Sequence, residues 1–106
     1  MLFRSWTLAE NPGADPTLGD KANYQGLYYY YMVLAQALDL AGVQEVAAPG
    51  KDGKPEMIAW RKALRAHLEG MQAKSGSWLN SQNSRWMEGR EVLCTCYVLV
   101  ALERCK

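Results

Sequence analysis

One hundred and six residues hold one domain, or part of one. Apolar residues make up 49% and charged residues 22%, the balance of a globular chain and not of a disordered one. Twelve basic against eleven acidic residues leave a net charge of +1, so no strong field selects nucleic acid, an acidic membrane or an acidic substrate.

The longest near-continuous apolar run, Leu27 to Leu38, is too short to span a bilayer, and no transmembrane segment is expected. Met1 to Trp6 lacks the basic region, long apolar stretch and cleavage site of a signal peptide. Three cysteines cannot all pair within the chain, and none forms a Cys-x-x-Cys pair. A reducing, cytoplasmic compartment is the default that follows. A chain this short hides only about 60–65% of its unfolded surface. Yet it carries four Trp and six Tyr. The surplus apolar surface is expected to pack on a ligand, on another copy, or on the remainder of a longer chain.

In chain order, Leu2, Phe3 and Trp6 fit one face of a helix end. Glu10 to Pro16 is dense in turn residues and opens a loop to about Asn23, long enough to be functional. A first full helix is predicted from Tyr24 to Ala41, with Asn23 as N-cap and Gly42 as its stop. Only Gln36 and Asp39 break its apolar core, so it should be buried on every side. Val43 to Lys54 reads as a connection, with Pro49-Gly50 and Asp52-Gly53 as turn signals. Pro55 suits the first position of a second helix running to about Lys74. Met57, Trp60, Leu64, Leu68 and Met71 form its apolar stripe; Arg61, Lys62 and Arg65 form a solvated outer face. After a polar loop from Ser75 to Arg85, a third helix from about Met87 to Arg104 again lacks a polar face.

The first and third helices resemble each other. Tyr31 to Leu38 lies over Cys96 to Leu102, and each helix follows a polar-glycine pair, Gln25-Gly26 and Glu88-Gly89. The chain therefore reads as two copies of one outer-inner helix unit, about 1–42 and 55–105, in a single α-helical domain or fragment. The fold expected is all-α, with amphipathic outer helices behind buried inner ones.

Gln72-Ala-Lys-Ser-Gly76-Ser-Trp78 has the Gln-x-x-x-Gly-x-Trp pattern of the QW motif. With its flanking helices it resembles the prenyltransferase and squalene oxidase repeat, found in terpenoid cyclases and protein prenyltransferases. The resemblance implies a partial α/α toroid, because two units cannot close a ring. It implies either the C-terminal part of a longer toroid chain or a homo-oligomer. Gln72, Gly76 and Trp78 are read as structural: the Gln72 amide bonding near the helix end, Gly76 turning the backbone, Trp78 stacking on that amide.

The resemblance also implies isoprenoid chemistry, with this chain supplying cavity wall and fastening. The ligand would be an isoprenoid or another hydrophobic small molecule. The alternative is a non-catalytic toroid module for protein interaction or hydrophobic ligand binding. The Asp-x-Asp-Asp acid of the cyclases is not in this sequence, so the catalytic residues stay unassigned. Tyr24, Tyr28, Tyr31 and Trp86 lie near the N-terminal ends of the inner helices and are candidates for a cavity rim, with Glu88 as a rim acid. Against this stands a packing role for the tyrosines, and for Glu88 a favourable interaction with a helix N-terminus. No cofactor and no metal site is expected. His67 is the one histidine, and it reads as structural. Cys94 and Cys96, two apart on one helix, point roughly 200° away from each other and read as small core residues.

Overall fold

The computed structural model describes residues 6–50 and 52–106; the expected helix end at Leu2 and Phe3 lies outside the described residues. Three helices form: α1 (Leu27–Leu40), α2 (Trp60–Met71) and α3 (Glu91–Arg104). Between α1 and α2 lies an antiparallel pair of strands, β1 (Glu45–Pro49) and β2 (Pro55–Ala59). This overturns the expected all-α toroid class. The chain is a small mixed α/β domain of three helices and a two-stranded sheet.

The hairpin has a plain physical origin. In register, Glu45 faces Ala59, Val46 faces Ile58, and Pro49 faces Pro55. Val46 and Ala48 are buried, while their neighbours on β1 turn outward, which is the period of a half-buried strand. At the tip, the Gly50 N–H donates to the Lys54 carbonyl at 3.0 Å. A Cβ on Gly50 would come within 2.5 Å of that carbonyl oxygen, so only glycine fits. The turn residues that read as loop punctuation are thus a hairpin turn. Pro55 starts a strand and not a helix, and Met57 is 57% exposed on β2 instead of lying on the helical stripe.

Helix α2 keeps the rest of that stripe. Trp60, Leu64 and Leu68 are buried and Met71 is half-buried against the core. Arg61 departs from the solvated outer face. Its guanidinium bonds Asp39 Oδ1 at 2.6 Å and the Arg104 carbonyl at 3.1 Å, and lies over the Trp60 ring. Arg104 bonds the other Asp39 oxygen at 2.9 Å. One carboxylate on α1 therefore joins α2 and α3, and the two guanidinium groups hold its pKa below the usual carboxylate range.

Helices α1 and α3 pack side by side and run in the same direction. Glu88, just before α3, meets the start of α1, and Arg104 meets Asp39 at the far end. Small buried residues, Ala35 on α1 and Cys94 and Ala101 on α3, let them approach closely. Helix α2 runs back behind them. The start of α1 differs from expectation: Gly26 in the left-handed region precedes it, and Asn23 does not cap it. Its end is a Schellman turn. The Val43 N–H reaches the Leu38 carbonyl, and the N–H of Gly42, at φ 70°, reaches Asp39.

Burial on every side is not observed for α1 or α3. Their faces turned away from α2 are open. Tyr29, Val33 and Leu40 on α1, and Val92, Leu99 and Val100 on α3, are all exposed, Leu40 and Val92 to 78%. Cys96 lies on this open face and Cys94 in the core, which corrects the reading of both as core residues and agrees with their angular separation. Among the described residues no helix is long and apolar enough to cross a membrane.

Candidate functional site

The loops that precede α1 and α3 define the site. Asn11 folds the first loop onto the chain ahead of α1. Its backbone N–H donates to Asn23 O at 2.8 Å and its side-chain amide donates to Gln25 O at 2.8 Å. Its Oδ1 accepts from the Gly13 N–H at 3.0 Å, closing the turn at Pro12-Gly13. The next turn is fixed by Asp15, whose Oδ1 accepts from both the backbone and the hydroxyl of Thr17. Those two bonds hold the Asp15 pKa below its usual value, so the exposed carboxylate is ionised at neutral pH.

On the other side, Trp86 and Met87 both take positive φ, 60° and 65°. Two consecutive non-glycine residues in the left-handed region cost about 1–2 kcal/mol each. Such strain marks places where the surroundings over-determine the backbone, and it clusters at ligand clamps. Here it raises an indole that is 63% exposed over the ends of the helices. Between the two loops lies a cleft of about 660 Å³, open on one side. Tyr29, Tyr97 and Trp86 supply its aromatic surface, and Leu18 and Met87 extend it. The Tyr29 and Tyr97 rings meet edge to face, 5.8 Å apart, where α1 and α3 touch.

Glu88 borders the cleft but is fully buried. Its Oε1 accepts from the Tyr28 N–H at 2.9 Å, and its Oε2 from the Tyr29 N–H at 3.1 Å. These are orphan donors at the start of α1, where Gly26 offers no side chain. The carboxylate of one loop therefore caps a helix distant in sequence. Asn80 completes the knot: its amide donates to Glu88 Oε1 and to the Tyr24 carbonyl, and its Oδ1 accepts from the N–H groups of Gln82 and Asn83. The interaction of Glu88 with a helix N-terminus is real, and it is made to α1 instead of the helix that follows it.

Of the expected rim residues, Trp86 and Glu88 border the cleft and the three tyrosines do not. Tyr24 is half-buried and offers its carbonyl to Asn80. Tyr28 is buried, its hydroxyl donating to Leu79 O, and burial pushes its pKa up to about 12. Tyr31 is wholly buried edge-on to Tyr28. Its hydroxyl donates to Leu8 O, so His67 Nε2, 3.0 Å away, completes the contact as a donor. Burial lowers the His67 pKa, which keeps the ring neutral at neutral pH. Tyr28 and Tyr31 are therefore core, Tyr24 packs half-buried against it ahead of α1, and Tyr29, one position round the helix, faces the ligand side with Tyr97. Only the phase of α1, set by the Glu88 cap and the contact with α3, separates these choices within Tyr28-Tyr-Tyr-Tyr31.

The QW residues split in role. Trp78 is buried, and its indole N–H donates to Leu68 O at 2.8 Å, satisfying a carbonyl in the last turn of α2. Gln72 is exposed and its amide reaches only Gly76 O at 3.0 Å, within the turn that Gly76 makes at φ 89°. Among the described residues, no group of three or more His, Cys, Asp or Glu is placed to hold a metal ion. Comparison with protein-family models, curated proteins and solved structures finds no match. The likeness to the QW repeat rests on the residues themselves.

Proposed function

We propose that this chain binds a hydrophobic small molecule, such as an isoprenoid, in the cleft between Tyr29, Tyr97 and Trp86. The carrying observation is the strained, exposed Trp86 standing over an aromatic cleft large enough for a ligand of that size. Cyclisation needs a protonated carboxylic acid kept dry beside the ligand. Asp15 is exposed and ionised, and both oxygens of Glu88 already accept backbone N–H groups. Neither bordering carboxyl fits that role, so binding is the reading that the geometry supports best.

Titration with farnesol, followed by tryptophan emission, tests the proposal. Trp60 and Trp78 are buried and Trp6 is half-buried against the core, so the part of a saturable blue shift that is lost in Trp86→Gly reports on Trp86. The variant Trp86→Gly should weaken binding at least about tenfold by calorimetry, since aromatic contacts dominate such sites. It should also keep or gain stability. Relief of about 1–2 kcal/mol of left-handed strain outweighs the roughly 0.5–1 kcal/mol entropic cost of glycine. An emission indifferent to farnesol, or a Trp86→Gly variant that binds as the parent does, would defeat the reading.

The open apolar face of α1 and α3 favours a second reading beside the first: pairing with another copy of the chain. Its six large side chains expose on the order of 600 Å², near the upper limit for a monomer's largest apolar patch. With a rim, that approaches the roughly 800 Å² per partner of a stable interface. The net charge of +1 sets no long-range barrier to self-association. Sedimentation should show a dimer that Leu99→Lys shifts to monomer. A parent chain that stays monomeric at high concentration would exclude the pairing.

A further inference from the structure

Among the described residues, the charged ones that line the cleft are of one sign. Asp15 and Glu88 stand there, and among the described residues no Lys, Arg or His is in its walls. The Asp15 carboxylate is exposed on its turn and spends only Oδ1 on Thr17. Tyr29, Tyr97 and Trp86 turn aromatic surface to the same space. Trp86 already takes one cation from the protein itself, since the Arg85 guanidinium lies 5.2 Å from its ring centroid, over one face. The indole remains 63% exposed. Aromatic faces carry negative potential and attract cations, most strongly weakly hydrated ones such as quaternary ammonium groups. A neutral isoprenoid would use the rings and leave the carboxylate idle.

Resting on the reading of the cleft as a small-molecule site, we propose that its ligand is an organic cation, with an alkylated ammonium group held among Tyr29, Tyr97 and Trp86 and facing the Asp15 carboxylate. The rings supply the contact that tolerates alkyl groups, and the carboxylate supplies the sign of the charge. The buried Glu88 adds negative charge beneath the start of α1. There it also offsets the positive helix end that would otherwise point toward the ligand.

A matched pair of probes tests this. Choline and 3,3-dimethyl-1-butanol have the same shape and differ in a nitrogen or a carbon at the branching centre, hence in charge. Calorimetric titration of the whole chain with each should show choline binding about tenfold more tightly. Raising the ionic strength should narrow that gap. Asp15→Asn, on an exposed turn, should reduce the ratio to about threefold while leaving the affinity for the neutral alcohol unchanged. Equal affinity for the two probes, a preference for the alcohol, or a full preference surviving in Asp15→Asn overturns the cation assignment. Binding of neither probe while farnesol still binds also overturns it, and leaves the cleft a neutral hydrophobic site. Silence toward all three compounds overturns the cleft as a binding site and the cation assignment with it.

Discussion

Replacing Glu88 by alanine should destabilise the fold by about 3–5 kcal/mol, the largest effect expected of any change near the cleft. Two backbone N–H groups, those of Tyr28 and Tyr29, lose a charged acceptor inside the protein. Bonds to charged groups contribute about 1.5–3 kcal/mol each, and an orphaned buried donor costs about 1–3 kcal/mol. Asn80 loses a partner as well, and it positions the loop through four bonds of its own side chain. A chain of this size has a total stability of about 5–15 kcal/mol, so the variant should melt roughly 15–30 °C lower. Glu88→Gln separates capping from other roles. It keeps the shape and one acceptor oxygen but turns an amide NH₂ toward a backbone N–H, and should recover only part of the loss. Urea denaturation of both variants measures this. If both lie within about 1 kcal/mol of the parent, Glu88 is not what holds the start of α1.

The cap also explains how the sequence misleads. Helix α1 was legible from its apolar run and its Gly42 stop, and α2 from the Trp60, Leu64, Leu68 stripe, because these patterns are local. Its true start was not, because the residue that caps α1 lies far along the chain and no local rule points to it. The hairpin was hidden for a different reason. β1 alternates over only a few residues, and β2 buries little, so the turn residues outweighed a weak period. The cleft was half legible. Trp86 could be placed near it by its position before α3, whereas Tyr29 and Tyr97 depend on the rotation of two helices about their axes. In a run of four tyrosines, one residue of phase decides which ring is core and which is wall.

The open face has a related cause. Apolar composition states that a surface is to be covered, and does not state by what. Helices α1 and α3 cover one another and α2 along one side, through Leu34, Leu38, Val98 and Ala101. On the other side the same helices carry Leu40, Val92 and Leu99 into solvent. The sequence pattern of a helix buried on all sides is thus present without the burial. The surplus apolar surface inferred from the number of Trp and Tyr residues sits on this face and in the cleft that continues it.

Trp78→Ala should remove about 3–5 kcal/mol of stability, the usual range for deleting a buried tryptophan. The side chain is 4% exposed within the main core. Its indole N–H fills the Leu68 carbonyl in the last turn of α2, while its backbone N–H donates to Thr95 Oγ1 on α3 at 3.1 Å. One residue thus ties the end of α2 to the side of α3. Trp78→Phe keeps most of the buried area and loses only the N–H, so it should cost about 1–2 kcal/mol. Gln72→Ala should stay within about 0.5 kcal/mol of the parent, because Gln72 is exposed and bonds only its own turn. The spread among the three variants is the diagnostic quantity. A motif that fastens through its glutamine predicts that Gln72→Ala rivals Trp78→Ala. A motif that fastens through its tryptophan predicts a ratio near ten, and the contacts of Trp78 with both α2 and α3 favour the second.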